Sequence, residues 1–156
     1  QTGLWLTWQL NPESAAYNMS GVLAISGDLN KRALTRSVEA LIARHDVLNT
    51  LFVLDGDVVK QHVQTHCEID LACFSLATVV EAEAKATALS QQAFALDSER
   101  PIRVSIIDLP EQQYHVVVSI HHIVADGWSL NIFIEELIAL YVGFVEGEAP
   151  SLAELP

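Results

Sequence analysis

The chain has 156 residues, 51% hydrophobic and 18% charged, and a mean hydropathy of +0.29, as expected of a globular domain with surplus apolar surface. Eight basic residues against 20 acidic ones give a net charge of −12, which argues against binding nucleic acid or an anionic membrane through the overall field. With no apolar stretch long enough to cross a bilayer and no signal-peptide pattern, the sequence predicts a single cytoplasmic domain.

The first third of the chain predicts a short helix, a strand and a longer helix. Leu4, Trp5 and Trp8 have helical spacing, so a short helix is expected within residues 1–10. Partial alternation over 18–26 predicts a strand. Asn30 then has the residue type and position of an N-cap, with a helix following to residue 45. Leu29 and Leu34 are placed as its hydrophobic staple.

The remaining elements are expected to be a hairpin, a weak strand, an Ala-rich helix, two paired strands and a final helix. Their expected ranges are 51–54 with 58–63, 67–74, 76–96, 102–109 with 114–120, and 129–145. Asp55-Gly56-Asp57 and Pro110-Glu111-Gln112-Gln113 provide the two hairpin turns. The three longest strand segments, 18–26, 102–109 and 114–120, should share one mixed sheet flanked by the helices. The fold class is therefore α+β or mixed α/β, with strand order left open.

Candidate chemistry is concentrated between the last strand and the last helix, in His121-His122-Ile123-Val124-Ala125-Asp126-Gly127. A strand alternates its side chains, so the two adjacent histidines should point in opposite directions and only one can face a given cavity. Asp126 could cap the helix or pair with a buried cation, and Gly127 gives room for a turn or for a substrate. A neutral imidazole near a helix N-terminus suits a general base.

Structural roles compete with this interpretation. A histidine at a strand end and an aspartate before a helix are often structural, so the residues alone leave both a catalytic and a structural role open. No metal is expected, because neighbouring histidines on a strand do not converge and the cluster of His62, His66 and Cys67 has ordinary loop character. His45 and His115 are expected to be structural, as are Cys67 and Cys73 as buried free thiols. No elbow motif supports a serine nucleophile.

The loop and three further stretches resemble the condensation domains of nonribosomal peptide synthetases. His121 to Gly127, followed by Trp128-Ser129, is similar to their HHxxxDG signature. Gln1-Thr2-Gly3-Leu4-Trp5 resembles the end of the first motif of the family, and Tyr17-Asn18 leads into a matching second segment. Residues 44–52, RHDVLNTLF, resemble RHExLRTxF. The resemblance covers essentially the whole chain.

The resemblance implies a chloramphenicol acetyltransferase-like fold in which two similar halves meet around a tunnel. Residues 1–147 would be the N-terminal subdomain, truncated at its start, and 148–156 a linker toward an absent C-terminal subdomain. His122 would be the catalytic histidine, with His121, Asp126, Gly127 and Arg44 as structural or orienting residues. Gly127, Trp128 and Ser129 would lie close to the substrate.

The resemblance also implies amide bond formation between a donor acyl or peptidyl thioester and an acceptor aminoacyl thioester. Both would be carried on the 4′-phosphopantetheine arms of peptidyl carrier domains, with no cofactor bound directly. The C-terminal half and a neighbouring adenylation domain would be the other partners, and this half alone should be inactive. The alternatives are an epimerization domain, a coenzyme A-type acyltransferase, or a non-catalytic half that docks carrier domains.

Two positions depart from the family pattern. The arginine of RHExLRTxF falls on Asn49, and an arginine of the first motif falls on Gly3. In the family, the arginine that corresponds to Asn49 is the expected ion-pair partner of the carboxylate that corresponds to Asp126. In this chain the Asp126 carboxylate must therefore be paired with Arg44, Arg103 or backbone N–H groups of the last helix. Asn49 could also offer a neutral hydrogen bond.

Overall fold

The computed structural model describes residues 5–10, 18–65, 69–122 and 130–145. In chain order the elements are β1 (Trp5–Leu10), β2 (Asn18–Ser26), α1 (Lys31–Arg44), β3 (Thr50–Asp55), β4 (Val58–Val63), β5 (Ala72–Ser75), α2 (Val79–Ser90), β6 (Ile102–Leu109), β7 (Gln113–His121) and α3 (Leu130–Val145). A 3-10 helix, Asp46–Asn49, joins α1 to β3. The expected mixture of strands and helices is confirmed.

Five of the strands form one mixed sheet in the order β1-β2-β7-β6-β5. The first four pair antiparallel, and β5 runs parallel to β6. The expectation that 18–26, 102–109 and 114–120 share a sheet is confirmed. Because β7 is central and pairs along its length with β2 and β6, its last residues are held from both sides.

Helices cover both faces of the sheet. α1 and α3 pack on one face, where their buried side chains meet those of β2, β6 and β7. The opposite face carries α2, whose Ala82, Ala86 and Leu89 pack against Ile107, Leu109 and Val117. Residues 116–120 of β7 are all buried, and burial of each large apolar side chain stabilises the fold by about 1.5–3 kcal/mol. The strand leading to the histidines is therefore the core of the domain.

The expectation of a helix near the N-terminus is wrong for residues 5–10. They form β1, paired with β2 from Trp5 opposite Ser26 to Leu10 opposite Gly21. A short apolar run is ambiguous between helix and strand, and here the free edge of β2 decides, because pairing satisfies its backbone groups. Residues 1–4, the start of the expected helix, lie outside the described residues.

The signals for α1 and for the first hairpin are confirmed. The Ala33 N–H donates to Asn30 Oδ1 over 2.9 Å, so Asn30 is the N-cap of α1. Leu29 and Leu34 belong to the same apolar cluster, as a hydrophobic staple requires. β3 and β4 form a separate two-stranded sheet, and Gly56 between them has a φ of 64°.

Two predicted ranges are wrong. The strand expected over 67–74 is observed as β5, Ala72–Ser75, because the strand extends only where β6 provides a parallel partner. Residues 66–68 lie outside the described residues. The helix expected over 76–96 is α2, Val79–Ser90. It starts at a capping box in which Thr78 and Glu81 exchange hydrogen bonds, a signal that the sequence contains and that marks the helix start.

Candidate active site

The two predicted histidines lie at the C-terminal end of β7. His121 is the last residue of the strand and is partly buried, whereas His122 is exposed. The ring of His121 meets Phe94 edge-to-face, with ring centroids 5.9 Å apart and an interplanar angle of 83°. The two neighbours therefore have different surroundings, as strand alternation predicts. His122 is the one placed to meet a molecule from outside the chain.

The remaining predicted residues of the loop are Asp126, Gly127, Trp128 and Ser129. They lie outside the described residues. Their orienting and substrate-proximal roles stay predictions, as does the partner of the Asp126 carboxylate. The described residues do fix both ends of the loop, since β7 ends at His121 and α3 begins at the buried Leu130.

Arg44 and His45 connect the end of α1 to α3 through one carboxylate. His45 Nε2 lies 2.9 Å from Glu136 Oε1, and Arg44 Nε lies 3.7 Å from the same oxygen. His45 is 7% exposed and its ring contacts Glu136 within the fold, which fits the structural role expected of it. At 3.7 Å the arginine contact is an ionic attraction longer than a hydrogen bond. These contacts hold α3, and with it the far end of the loop, against α1.

Position 49 does contact an arginine, although from another part of the chain. Arg100 Nε donates to Asn49 Oδ1 over 2.7 Å, and Asn49 Nδ2 donates to the Gln64 carbonyl over 3.0 Å. Asn49 thus ties β3 and the segment after β4 to the residue that precedes Pro101. Sequence reasoning missed Arg100, because 51 residues separate it from Asn49 and no local pattern links them.

Arg103, the other candidate partner of Asp126, is hydrogen-bonded to the segment that joins α2 to β6. It donates to the backbone carbonyls of Gln92 and Ala93 and to the carboxylate of Glu99. These bonds point its guanidinium toward that segment on the α2 face of the sheet. Arg103 pairs across β6 and β7 with Ser119, two residues before His121.

Burial lowers the pKa of two histidines on β7. For His121 the main cause is removal from water, and a smaller one is the neighbouring charge of His122. For His115 burial again lowers the pKa, while the carboxylate of Glu83 acts in the opposite direction. Removal from water penalises the charged imidazolium, so both rings favour the neutral form.

A cavity of about 790 Å³ lies between α1, Gln64, residues 69–72 and the start of β6. Its lining mixes apolar side chains such as Val38 and Ile42 with Arg100 and Arg103. Neither His121 nor His122 lines it. The cavity and the histidine pair are therefore separate features that share the short stretch before and at the start of β6.

The structure shows no metal site and no membrane-spanning element in the part of the chain that it describes. Within that part, no group of three or more His, Cys, Asp or Glu could hold a metal ion. Helices α1 to α3 are all too short or too polar to cross a membrane. Cys73 is an exposed free thiol, so its expected burial is wrong, because β5 lies at the sheet edge. His66 and Cys67 lie outside the described residues.

Comparison with known proteins identifies the family. The model of the family described as Condensation domain matches residues 1–156. The chain belongs to the condensation-domain family. One protein of the linear gramicidin synthase of Brevibacillus parabrevis is 38% identical over 163 residues, covering 100% of this chain and 2% of that protein. The chondramide synthase of Chondromyces crocatus is 33% identical over 162 residues, covering 100% of this chain and 4% of that synthase.

Solved structures agree with this family assignment. The X-domain from teicoplanin biosynthesis has a TM-score of 0.81 and 29% identity, with 92% of this chain and 32% of that one covered. The first condensation domain of the calcium-dependent antibiotic synthetase has a TM-score of 0.76 at 22% identity, covering 93% and 36%, and supports the fold alone. The predicted chloramphenicol acetyltransferase-like fold is confirmed, and this condensation-domain chain spans about a third of those solved chains.

Proposed function

We propose that this chain is the N-terminal part of a domain that forms an amide bond between two carrier-bound thioesters in nonribosomal peptide synthesis. One observation carries the proposal. An HHxxxDG sequence begins at the last residue of the central strand, in a chain that matches the condensation-domain family over residues 1–156, and its second histidine, His122, is exposed. Residues 1–147 would be the N-terminal subdomain and 148–156 the linker to the rest.

The proposed step is attack by the acceptor amine on the carbonyl carbon of the donor thioester. The carbon–nitrogen bond forms, the carbon–sulfur bond breaks, and the donor arm leaves as a thiol that takes the proton lost by nitrogen. An α-amino group has a pKa of about 7.7–8.0, so about a tenth of it is already neutral at pH 7. His122 therefore acts as the amine attacks and becomes acidic, or by holding the amine in line.

The substrates in this proposal are carried on the 4′-phosphopantetheine arms of a donor and an acceptor carrier domain. A C-terminal half completes the tunnel, and an adenylation domain lies next to the domain. Support comes from the size of the relatives, since this chain covers only 2% of the gramicidin synthase protein and 4% of the chondramide synthase. Asp126, Gly127, Trp128 and Ser129 keep the orienting and substrate-proximal roles that the motif implies.

The experiment is an assay of the complete domain with a donor and an acceptor thioester loaded on their carrier domains. We expect amide product from the complete domain, and none from residues 1–156 alone. Racemised donor without amide would indicate an epimerization domain instead. Transfer from coenzyme A to a free amine or alcohol would indicate an acyltransferase.

A non-catalytic docking role is the second candidate, because one observation favours it. Of the solved structures compared, the X-domain matches this chain well, and it also forms a complex with the protein OxyB. In that case the complete domain would bind a partner protein but give no amide, and His122→Ala would change neither property. The intact HHxxxDG sequence favours catalysis.

A further inference from the structure

The segment between α2 and β6 has neither helix nor strand, yet one side chain ties it to the sheet. Arg103 Nη1 donates to the Gln92 carbonyl over 3.1 Å, and Nη2 donates to the Ala93 carbonyl over 3.1 Å and to Glu99 Oε1 over 2.8 Å. The other oxygen of Glu99 accepts from the Ala95 N–H over 2.8 Å. Arg103 therefore holds the beginning and the end of the segment at the same time.

The same arginine fixes the aromatic ring that touches the motif. Its guanidinium carbon lies 4.2 Å from the centroid of the Phe94 ring. The same Phe94 ring also contacts the ring of His121 edge-to-face. The backbone of His121 is held independently, since its N–H donates to the Pro101 carbonyl over 2.9 Å. Cation–π and edge-to-face contacts both have preferred geometries, so the stack restrains ring orientation.

We infer that Phe94 and Arg103 are positioning residues for the histidine pair. Arg103 orders the segment that carries Phe94, Phe94 holds the ring of His121, and the peptide shared by His121 and His122 transmits that orientation to the exposed imidazole. The inference rests on the proposed role of His122. A misplacement of about 1 Å can cost about 10²-fold in rate, so a distant ring can matter to the chemistry.

The fold contains a matched pair that can serve as a control. Lys85 Nζ on α2 lies 4.1 Å from the centroid of the Phe74 ring on β5, so this is also a cation–π pair, here between the sheet and helix α2. Phe74 pairs with Ile107, which pairs with His115, six residues before His121. Loss of either aromatic ring removes a similar contact from the same face, but only Phe94 touches the motif.

The test compares Phe94→Ala, Phe74→Ala and His122→Ala in the complete domain, measuring amide formation and melting temperature. For Phe94→Ala we expect kcat to fall by about tenfold with little change in KM for the loaded carriers, because the contact positions a group and binds no substrate. Phe74→Ala should lower the melting temperature about as much as Phe94→Ala does, but it should leave kcat unchanged. Phe94→Tyr, which keeps the ring, should restore kcat.

A second readout is the imidazole resonance of His122 in domain labelled with 13C-histidine. It should move in Phe94→Ala and in Arg103→Lys, and stay in place in Phe94→Tyr and in Phe74→Ala. Equal kcat for Phe94→Ala and Phe74→Ala, with no movement of the His122 resonance, would overturn the inference. If His122→Ala retains full activity, the proposed function fails instead, so the two failures are distinguishable.

Discussion

His115 and His121 lie on the same face of β7, six residues apart, and burial lowers the pKa of both. His115 lies in the middle of the sheet between Ala24 and Ile107, and its buried Nδ1 has no hydrogen bond among the described residues. His121 ends the strand, contacts Phe94 and precedes an exposed histidine. Burial alone therefore does not distinguish a structural histidine from one at a candidate active site. Position at the open end of a rigid strand does.

The largest expected effect is on the rate of amide formation, which should depend on His122 after the end of β7 but not on His115 within the strand. His122→Ala in the complete domain should reduce amide formation by about 10²–10⁴-fold, the usual contribution of a general acid–base group. His115→Leu should leave the rate unchanged, because His115 pairs with Ala24 and Ile107, six residues before the end of β7. The rates are measured with loaded carrier domains. Loss of activity in both variants, with intact folding, would show that activity also depends on residues of β7 away from His122.

The next effect is on the free energy of unfolding, which should depend on Asp126 but not on His122. We predict that the Asp126 carboxylate accepts hydrogen bonds from backbone N–H groups before the last helix, so Asp126→Ala should lower the free energy of unfolding by about 1–2 kcal/mol. His122→Ala should leave it nearly intact, because that side chain is exposed. Thermal melts of the two variants decide the matter. Equal and small shifts would mean that Asp126 does not have the structural role.

A smaller effect concerns the pH dependence of stability. The pKa of His115 in the folded chain is below the ordinary value of 6.5, so the unfolded chain binds more protons around that pH. Stability should therefore fall as the pH drops through 6.5, and stop falling once the pH is below the folded pKa. His115→Leu should flatten this decline in denaturant titrations between about pH 8 and pH 5.

His121→Gln is the matched variant for the pH test, because burial lowers the pKa of that ring too. It should also flatten the decline, but unlike His115→Leu it should reduce activity, through the neighbouring His122. A decline of the same slope in His115→Leu and in the parent chain would contradict a lowered pKa of His115 in the folded chain.

The smallest effect is expected at the turn that begins β7, far from His121. Glu111 and Gln112 have φ values of 63° and 56°, a left-handed conformation that is unfavourable for residues with a side chain. Glu111→Gly should raise the free energy of unfolding by about 0.5–1 kcal/mol, and Glu111→Ala should not. Activity should not change in either variant. A change in activity would mean that the two ends of β7 are coupled.

The sequence predicted the elements whose signals are local. The Asn30 cap, the turn at Gly56 and the long apolar run of β7 each specify structure within a few residues, and each is confirmed. β1 was missed because the spacing of its apolar residues also fits a short helix, and the strand depends on pairing with β2. The end of α2 was missed because Arg103, 13 residues beyond Ser90, holds the following segment out of the helix.

The residues around the histidine pair divide in the same way. The sequence alone determined where the pair lies, on a strand end before a helix, because a motif and its flanking patterns are written in consecutive residues. Tertiary structure alone decided that Phe94 faces His121, that Arg100 meets Asn49 and that Glu136 meets His45, contacts that join residues 27, 51 and 91 positions apart. Such contacts depend on how the sheet and helices pack, and packing is a property of the whole chain, so no local pattern encodes them.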